Sequence, residues 1–474
     1  MSSFSNISRY LHSAIPDYLQ RPTARLQPIQ SGEGTPSVDL EALAEVVSPV
    51  AEVLPVISIK SPEHWSKVVK NLEDDIDAII PVSIPCYPTE IWNSHPQPLV
   101  ERGLPFIFWP LIKIDEPDFW RWSARDMLQA IGVDVHLVKN NQEGLTLLRA
   151  LGMKRFLGNS KLVVFGTQNF PWNAHAAGHL VTDNLGTKII VKPLSAYRDL
   201  YHQFSDEQVQ KVWSERCARY ENLSCNNNEL QTAVRTYLSI KIILEQEKAL
   251  GFGVNCFGDL IPGGARDVPC LAQLLLREDG YIAACDGDYL AMMSMVLTSY
   301  FLDKPCMMSN MYPVQYVGAL SEHFGDPLSP DESQFSRSQW ENIARLAHCG
   351  FVGIVSPEMT PDNKTCLKDW GGTYEIQRDG RGCGCDGDLA SGEKITVIEL
   401  KFDGKTLLIA DAETIETTRH KNMPHNEATG LLKFRNLPGF IDNISREHTV
   451  IVYGEHVRDY EILAEVLGLQ VKIF

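Results

Sequence analysis

The chain has 474 residues, of which 44% are hydrophobic and 22% charged. These are ordinary globular proportions that exclude collagen-like, coiled-coil and wholly disordered chains, and at roughly 150 residues per domain the length predicts about three domains. Lys and Arg number 43 against 60 Asp and Glu, a formal charge of −17, which repels phosphate backbones and anionic lipid and argues against nucleic acid or a membrane as partner. Eleven cysteines, an odd number spread from Cys86 to Cys385, suit reduced thiols better than a disulfide framework. Without an 18-residue apolar run or a secretory-type N-terminus, the expected location is the cytoplasm.

Residues 1–50 include the Ser-, Pro- and Gly-rich stretch RPTARLQPIQSGEGTPS and read as an arm with one helical stretch near Leu40. Over 51–160, β-branched runs such as VLPVISI, DAIIPVSI, LPFIFWP and VDVHLV alternate with helical patterns. Apolar runs without polar alternation, separated by helices, predict a parallel sheet covered on both faces. A second series over 161–320 runs KLVVFG, TKIIVKP, GVNCF, YIAAC and PCMMSN and predicts another doubly wound α/β unit. From 321 to 474, turn signals (DWGG, RDGRGCGCDGD, FDGK) separate strands such as KITVIEL, TLLIAD and HTVIVYG, which predicts a mainly antiparallel β-domain.

Ligands of open α/β sheets bind beyond the carboxyl ends of the strands. Asp286 and Asp288, directly after YIAAC, form a candidate hard-cation or acid/base pair, with helix capping as the alternative. Asn310 ends PCMMSN, and Trp92 follows the DAIIPVSI strand as a candidate pocket wall. Trp172 and His175 lie in FPWNAHAAGH, where His175 and His179 are four apart without the accompanying Glu of a metalloprotease helix; capping, packing or substrate contact is expected of them, with Trp172 and His175 the substrate-binding candidates. His348 closes RLAHCG and His448 opens HTVIVYG. Cys285, Cys349 and Cys383 are candidate reactive thiols, although a buried cysteine is most often inert packing. Cys383 and Cys385, with Cys366 upstream, lack the paired spacing of a zinc finger.

The succession GFGVNCFGDL, YIAACDGDYL, PCMMSN, LAHCGFVG, KITVIELKFDGKTLLIADAE and REHTVIVYGEHVRDYEIL resembles the L-fucose isomerase and L-arabinose isomerase superfamily, most clearly from Phe252 onward. The resemblance implies two Rossmann-like α/β domains plus a C-terminal β-barrel-like domain. It also implies a divalent metal, usually Mn2+, and aldose–ketose interconversion through a cis-enediol. Carried over by position, Asp286, Asn310, His348 and His448 are the expected metal ligands, Asp286 and Asp288 the expected proton-transfer groups, and the partner a small polyhydroxylated molecule. Family members assemble as trimers or hexamers, which implies a homo-oligomer.

Two departures from the family pattern bear on chemistry. Asp286 stands where the family has Glu, so its carboxylate is drawn back by roughly 1.5 Å. Asn310 replaces an acidic ligand and cannot accept a proton as a base. A set of one carboxylate, one amide and two imidazoles also admits Zn2+, Fe2+ or Co2+. The alternatives to an isomerase are a lyase or transferase on the same scaffold, with sulfur chemistry included, or a metal-free sugar-binding or assembly protein.

Overall fold

The computed structural model describes residues 16–31, 38–82, 91–109, 121–316, 336, 338–347, 357–361, 365–369, 382–415 and 430–474. His348, Cys349 and Cys86 lie outside this set. The chain divides into two compact units. One comprises Arg21–Gly158 with Glu465–Leu467; the other comprises Asn159–Ala464, the described residues before Arg21, and Gly468–Phe474.

The first unit is built on a parallel sheet of β1 (Ala24–Ser31), β2 (Ala51–Val53), β3 (Ile57–Ile59), β4 (Ala78–Pro81), β5 (Phe106–Phe108) and β6 (Val135–Leu137). Its order is β2-β1-β4-β5-β6, with β3 also on β1. The segment read from sequence as part of an arm is therefore an interior strand of this sheet. Pro28 is what disguises it, because proline removes a ladder donor. The Leu26 carbonyl receives the Leu54 N–H, whereas those of Arg25 and Ile29 receive Asp77 and Val82, so the even-numbered residues of β1 face β2 and β3. On that edge the pairing runs from Ala24 to Leu26 and resumes at Ile29, and Pro28 falls in the interval where no donor is required.

Trp92, expected to line a pocket, is instead fully buried in this unit's core. Its ring centroid lies 6.4 Å from that of Trp65 and 5.7 Å from that of Phe106. An aromatic that follows a strand end packs inward here because the helix carrying it, Ile91–Ser94, folds back over the sheet's apolar face.

The second unit contains a parallel sheet of β7 (Lys161–Phe165), β8 (Lys188–Lys192), β10 (Gly251–Val254) and β11 (Ile282–Ala284), ordered β11-β10-β7-β8. The strand order reverses direction between β7 and β10, which makes their carboxyl ends the switch point where such sheets bind ligands. A small sheet joins β9 (Glu221–Asn222), β14 (Cys366–Lys368) and β15 (Gly384–Asp386).

The same unit carries an antiparallel barrel of β12 (Cys306–Pro313), β13 (Ile343–Ala347), β16 (Lys394–Leu400), β17 (Thr406–Ile415), β18 (Gly430–Phe434) and β19 (His448–Tyr453). It is closed by β16 on β17, with β20 (Gln470–Ile473) added to β17. Met307, Met311, Ile395, Val397, Leu432, Ile451 and Tyr453 fill its interior at alternate positions, as a strand period of two requires.

The sequence predicts the β12 segment, PCMMSN, as part of the second parallel sheet. It lies in the barrel instead, antiparallel to both β13 and β19. A short apolar run does not distinguish these two settings by periodicity.

The helix Tyr289–Leu302 is buried along almost its whole length. It packs against β10 and β11 on one side and the outer faces of β12, β16 and β19 on the other, which accounts for its uniformly apolar sequence. Its N-terminus brings the end of β11 to the start of β19. No described helix is long and apolar enough to cross a membrane.

Candidate functional site

Three loops of the second unit meet beyond the carboxyl ends of β7, β10 and β11. After β7, Gly166 adopts φ +109, and an added Cβ would stand 2.3 Å from the Asp259 carboxylate. This glycine allows Asp259 to accept from the Thr167 N–H at 2.6 Å and its hydroxyl at 2.7 Å. Asn255, after β10, donates to the Thr167 carbonyl and to Asn169. The loop 166–173 is thereby fixed, and Trp172 stacks on Phe170 with ring centroids 4.7 Å apart.

After β11 the chain turns through Asp286 at φ 53 and Gly287 at φ 63. A left-handed aspartate is strained by roughly 1 kcal/mol, and such strain persists only where its surroundings impose it. Here the Trp172 indole N–H and the Asn173 amide donate to the Asp286 carbonyl at 3.1 and 3.2 Å. Gly253 of β10 lies against Gly287 so closely that a Cβ on it would be 2.9 Å from the Gly287 Cα.

The carboxylates of Asp286 and Asp288 meet different partners. Asp286 Oδ1 accepts from the Cys256 thiol at 3.1 Å, and its Oδ2 lies 3.6 Å from His448 Nε2. Asp288 Oδ1 caps the Tyr289–Leu302 helix, accepting from the N–H groups of Leu290 and Ala291 at 2.9 and 2.8 Å. Its Oδ2 accepts from Arg446 Nε at 2.7 Å and lies 2.8 Å from His448 Nδ1. Asp288, expected to shuttle protons, is fully buried and has both oxygens committed. It is a positioning residue that caps a helix and orients an imidazole. Burial raises its pKa, but Arg446 and His448 outweigh burial and hold it below the ordinary carboxylate range.

His448 is buried, with the Trp172 ring set edgewise at 5.3 Å. Burial disfavours its charged form, but hydrogen bonds and charge from Asp286 and Asp288 prevail and raise its pKa to about 10. Asn310 stands directly opposite His448 across the β12–β19 ladder and beside Ala347 of β13, so the side chains of Asn310 and His448 project from one face. The Asn310 amide nitrogen donates to the Tyr312 hydroxyl at 3.0 Å, while its Oδ1 is buried with no hydrogen-bond partner among the described residues.

The remaining expected residues lie elsewhere. The Cys285 thiol donates to Gln273 at 3.3 Å. Cys383 contacts Cys225. His175 is exposed on the first turn of the His175–Leu185 helix. Cys256, Asn173, Arg446 and Glu399 belong to the site or its support and were not singled out from sequence. The available signals were the GVNCF strand end and the Arg two places before His448 in REHTV.

Glu399 accepts from the Ser445 N–H at 2.8 Å and from Arg446 at 3.3 Å. Burial raises its pKa from 4.5 to about 7 against the opposing effects of Arg446 and the Ser445 N–H. The folded protein therefore keeps a proton that the unfolded chain releases between these values. The stability from this group is complete below the lower value and is lost as pH rises through the upper one, by at most about 3 kcal/mol. Urea midpoints are expected to fall between pH 5 and pH 8 in the wild type and to fall measurably less in Glu399→Gln; an equal fall in both proteins would contradict this assignment.

Among the described residues no three His, Cys, Asp or Glu side chains gather in metal-binding geometry. The Asp286–His448 pair nevertheless fits one edge of such a site. Their 3.6 Å separation suits two ligands sharing an ion at about 2.0–2.2 Å each. The Asp288 contact at Nδ1 directs Nε2 toward Asp286, the usual second-layer arrangement behind a metal-bound histidine. Asn310 adds an unsatisfied oxygen on the same face. No protein-family model matches the chain, and no curated protein matches it either.

Proposed function

We propose that the second unit is the catalytic part of a divalent-metal-dependent enzyme acting on a sugar or sugar-derived polyol, with Mn2+ the first ion to test and Zn2+, Fe2+ and Co2+ the others. On this reading the fold is two Rossmann-like domains and a barrel, and the reaction is of the ketol-isomerase type. The observation that carries the proposal is the Asp288–His448–Asp286 alignment, in which a buried carboxylate fixes one imidazole nitrogen and the other faces a second carboxylate. The same two carboxylates that favour a proton on His448 favour a cation beside it.

Asp286, His448 and the Asn310 oxygen would hold the ion, with His348 as the further ligand implied by the family resemblance. A bound cation would supply Lewis acidity to a carbonyl oxygen and its neighbouring hydroxyl. The protein's own contributions are separate. Asp286 would accept a carbon-bound proton, and the Trp172 and Asn173 donors fix the peptide that carries it. Trp172 and Phe170 provide an apolar wall, while Arg446 and Glu399 hold Asp288, which holds the His448 ring.

A second reading has an observation in its favour. Arg446 and the helix N-terminus occupy Asp288, and Asn310 is no base, so the two-carboxylate shuttle of an isomerase is not assembled among the described residues. One base at Asp286 suffices for a lyase that cleaves a bond next to an enediolate.

The deciding assay incubates the Mn2+-loaded protein with pentoses and 6-deoxyhexoses in D2O and follows them by NMR. Ketose formation with deuterium entering at the carbon next to the carbonyl is the expected result. Metal binding with neither ketose nor exchange would overturn the isomerase reading and leave the lyase.

A further inference from the structure

A cluster of thiols stands outside the site described above. Cys225 lies between the short strand β9 and the Asn227–Glu247 helix, and its backbone N–H and C=O are both held by the Asn222 side chain. Cys383 precedes β15, and its carbonyl receives the Leu271 N–H at the start of the Cys270–Glu278 helix at 3.2 Å. Next to it, the Gly382 N–H donates to Glu229 at 3.1 Å, and Glu229 is itself paired with Arg266. Both cysteine backbones are thus anchored independently, and the anchors bring the two Sγ atoms to 2.9 Å.

That separation selects among the roles open to two thiols. Two sulfurs each ~2.3 Å from one tetrahedral ion stand about 3.8 Å apart, so the pair is too close to share a metal. It is within a short movement of the ~2.05 Å of an S–S bond. Cys217 and Cys385 are also buried nearby. Burial pushes the Cys217 thiol up to about 12, and burial and the surrounding thiols push Cys383 and Cys385 well above the ordinary range. Thiols that resist ionisation are poor nucleophiles. Cys225 is the more exposed of the pair, at 7% against 1% for Cys383.

We infer that Cys225 and Cys383 form a reversible redox pair, oxidised to an intramolecular disulfide by hydrogen peroxide. The Cys225 thiolate attacks one peroxide oxygen, the O–O bond breaks, and water leaves with a sulfenic acid on Cys225. Cys383, held in contact with that sulfur, then attacks it without prior ionisation, its thiol proton passing to the departing oxygen as the S–O bond breaks and a second water leaves. The two thiols lose two electrons and two protons, and the peroxide is reduced to two waters. The product ties the segment that enters β15 to the loop that follows β9. The Cys270–Glu278 helix docked on this segment carries Gln273, which accepts from Cys285, the residue before Asp286. Oxidation therefore acts on an element that supports the candidate site, while the redox chemistry does not depend on what that site does.

The test treats the full chain with stoichiometric hydrogen peroxide, alkylates remaining thiols in denaturant, and maps the peptides by mass spectrometry. The expected result is a Cys225–Cys383 linked peptide with the other cysteines alkylated, reversed by dithiothreitol. The oxidised wild type should also melt at higher temperature than the reduced protein, and Cys225→Ser and Cys383→Ser should each lose that difference. Full alkylation of both residues after peroxide, or a link from either to Cys217, Cys270 or Cys385, would overturn the inference. Because the mapping is done on wild-type protein, it stands even if a serine variant folds poorly.

Discussion

Arg446→Met is expected to destabilise the second unit by about 3–5 kcal/mol, the range for removing one member of a buried ion network. The guanidinium is 2% exposed and lies between Asp288 and Glu399, whose side chains are fully buried, and it also donates to the Leu400 carbonyl at 2.9 Å. Methionine matches much of its length but leaves the buried Asp288 and Glu399 side chains without their shared cation. Asp288 caps the Tyr289–Leu302 helix, and that helix is packed between the parallel sheet and the barrel, so the loss spreads to both. Thermal unfolding should show a melting temperature lower by ~5–10 °C. A change within about 1 °C would mean that the network contributes little and that Asp288 is held by its capping role alone.

His448→Ala is expected to weaken divalent-cation binding at least about 100-fold, because it removes an imidazole whose orientation is fixed from behind. Isothermal titration with Mn2+ reads this directly. Asp288→Asn separates orientation from ligation. It keeps the helix cap acceptor but loses the charge behind Nδ1, so it should weaken binding by ~10-fold to 100-fold without removing a ligand. Equal affinity in wild type and His448→Ala would show that His448 is no ligand, and that its two carboxylates serve only to keep a buried imidazolium in place.

Asp286 draws attention in the sequence because it ends a strand of an α/β sheet, and His448 because of the order of motifs; that the two side chains face each other is a property of the fold. The part played by Asp288 is not legible in the sequence. Two aspartates separated by one residue look alike on paper, and only the fold shows that one faces the imidazole's open nitrogen while the other is held by Arg446 from the turn before β19, 158 positions away in sequence. Cys256 and Asn173 were invisible for the same reason: each touches Asp286 across more than two dozen residues of chain. Pro28 hid an interior strand, since the gap between β2 and β3 that tolerates it is a property of the pairing, not of the segment. Asn310 was named as a ligand on the wrong sheet. The barrel register then set it opposite His448, a proximity that neither residue's neighbours in sequence reveal.

The most direct measurement is an anomalous-difference map from crystals grown with saturating Mn2+. A peak is expected about 2.0–2.3 Å from both the Asp286 carboxylate and His448 Nε2, with Asp288 retained on Nδ1. A peak elsewhere, or none between these two side chains at saturation, would contradict this ligand assignment.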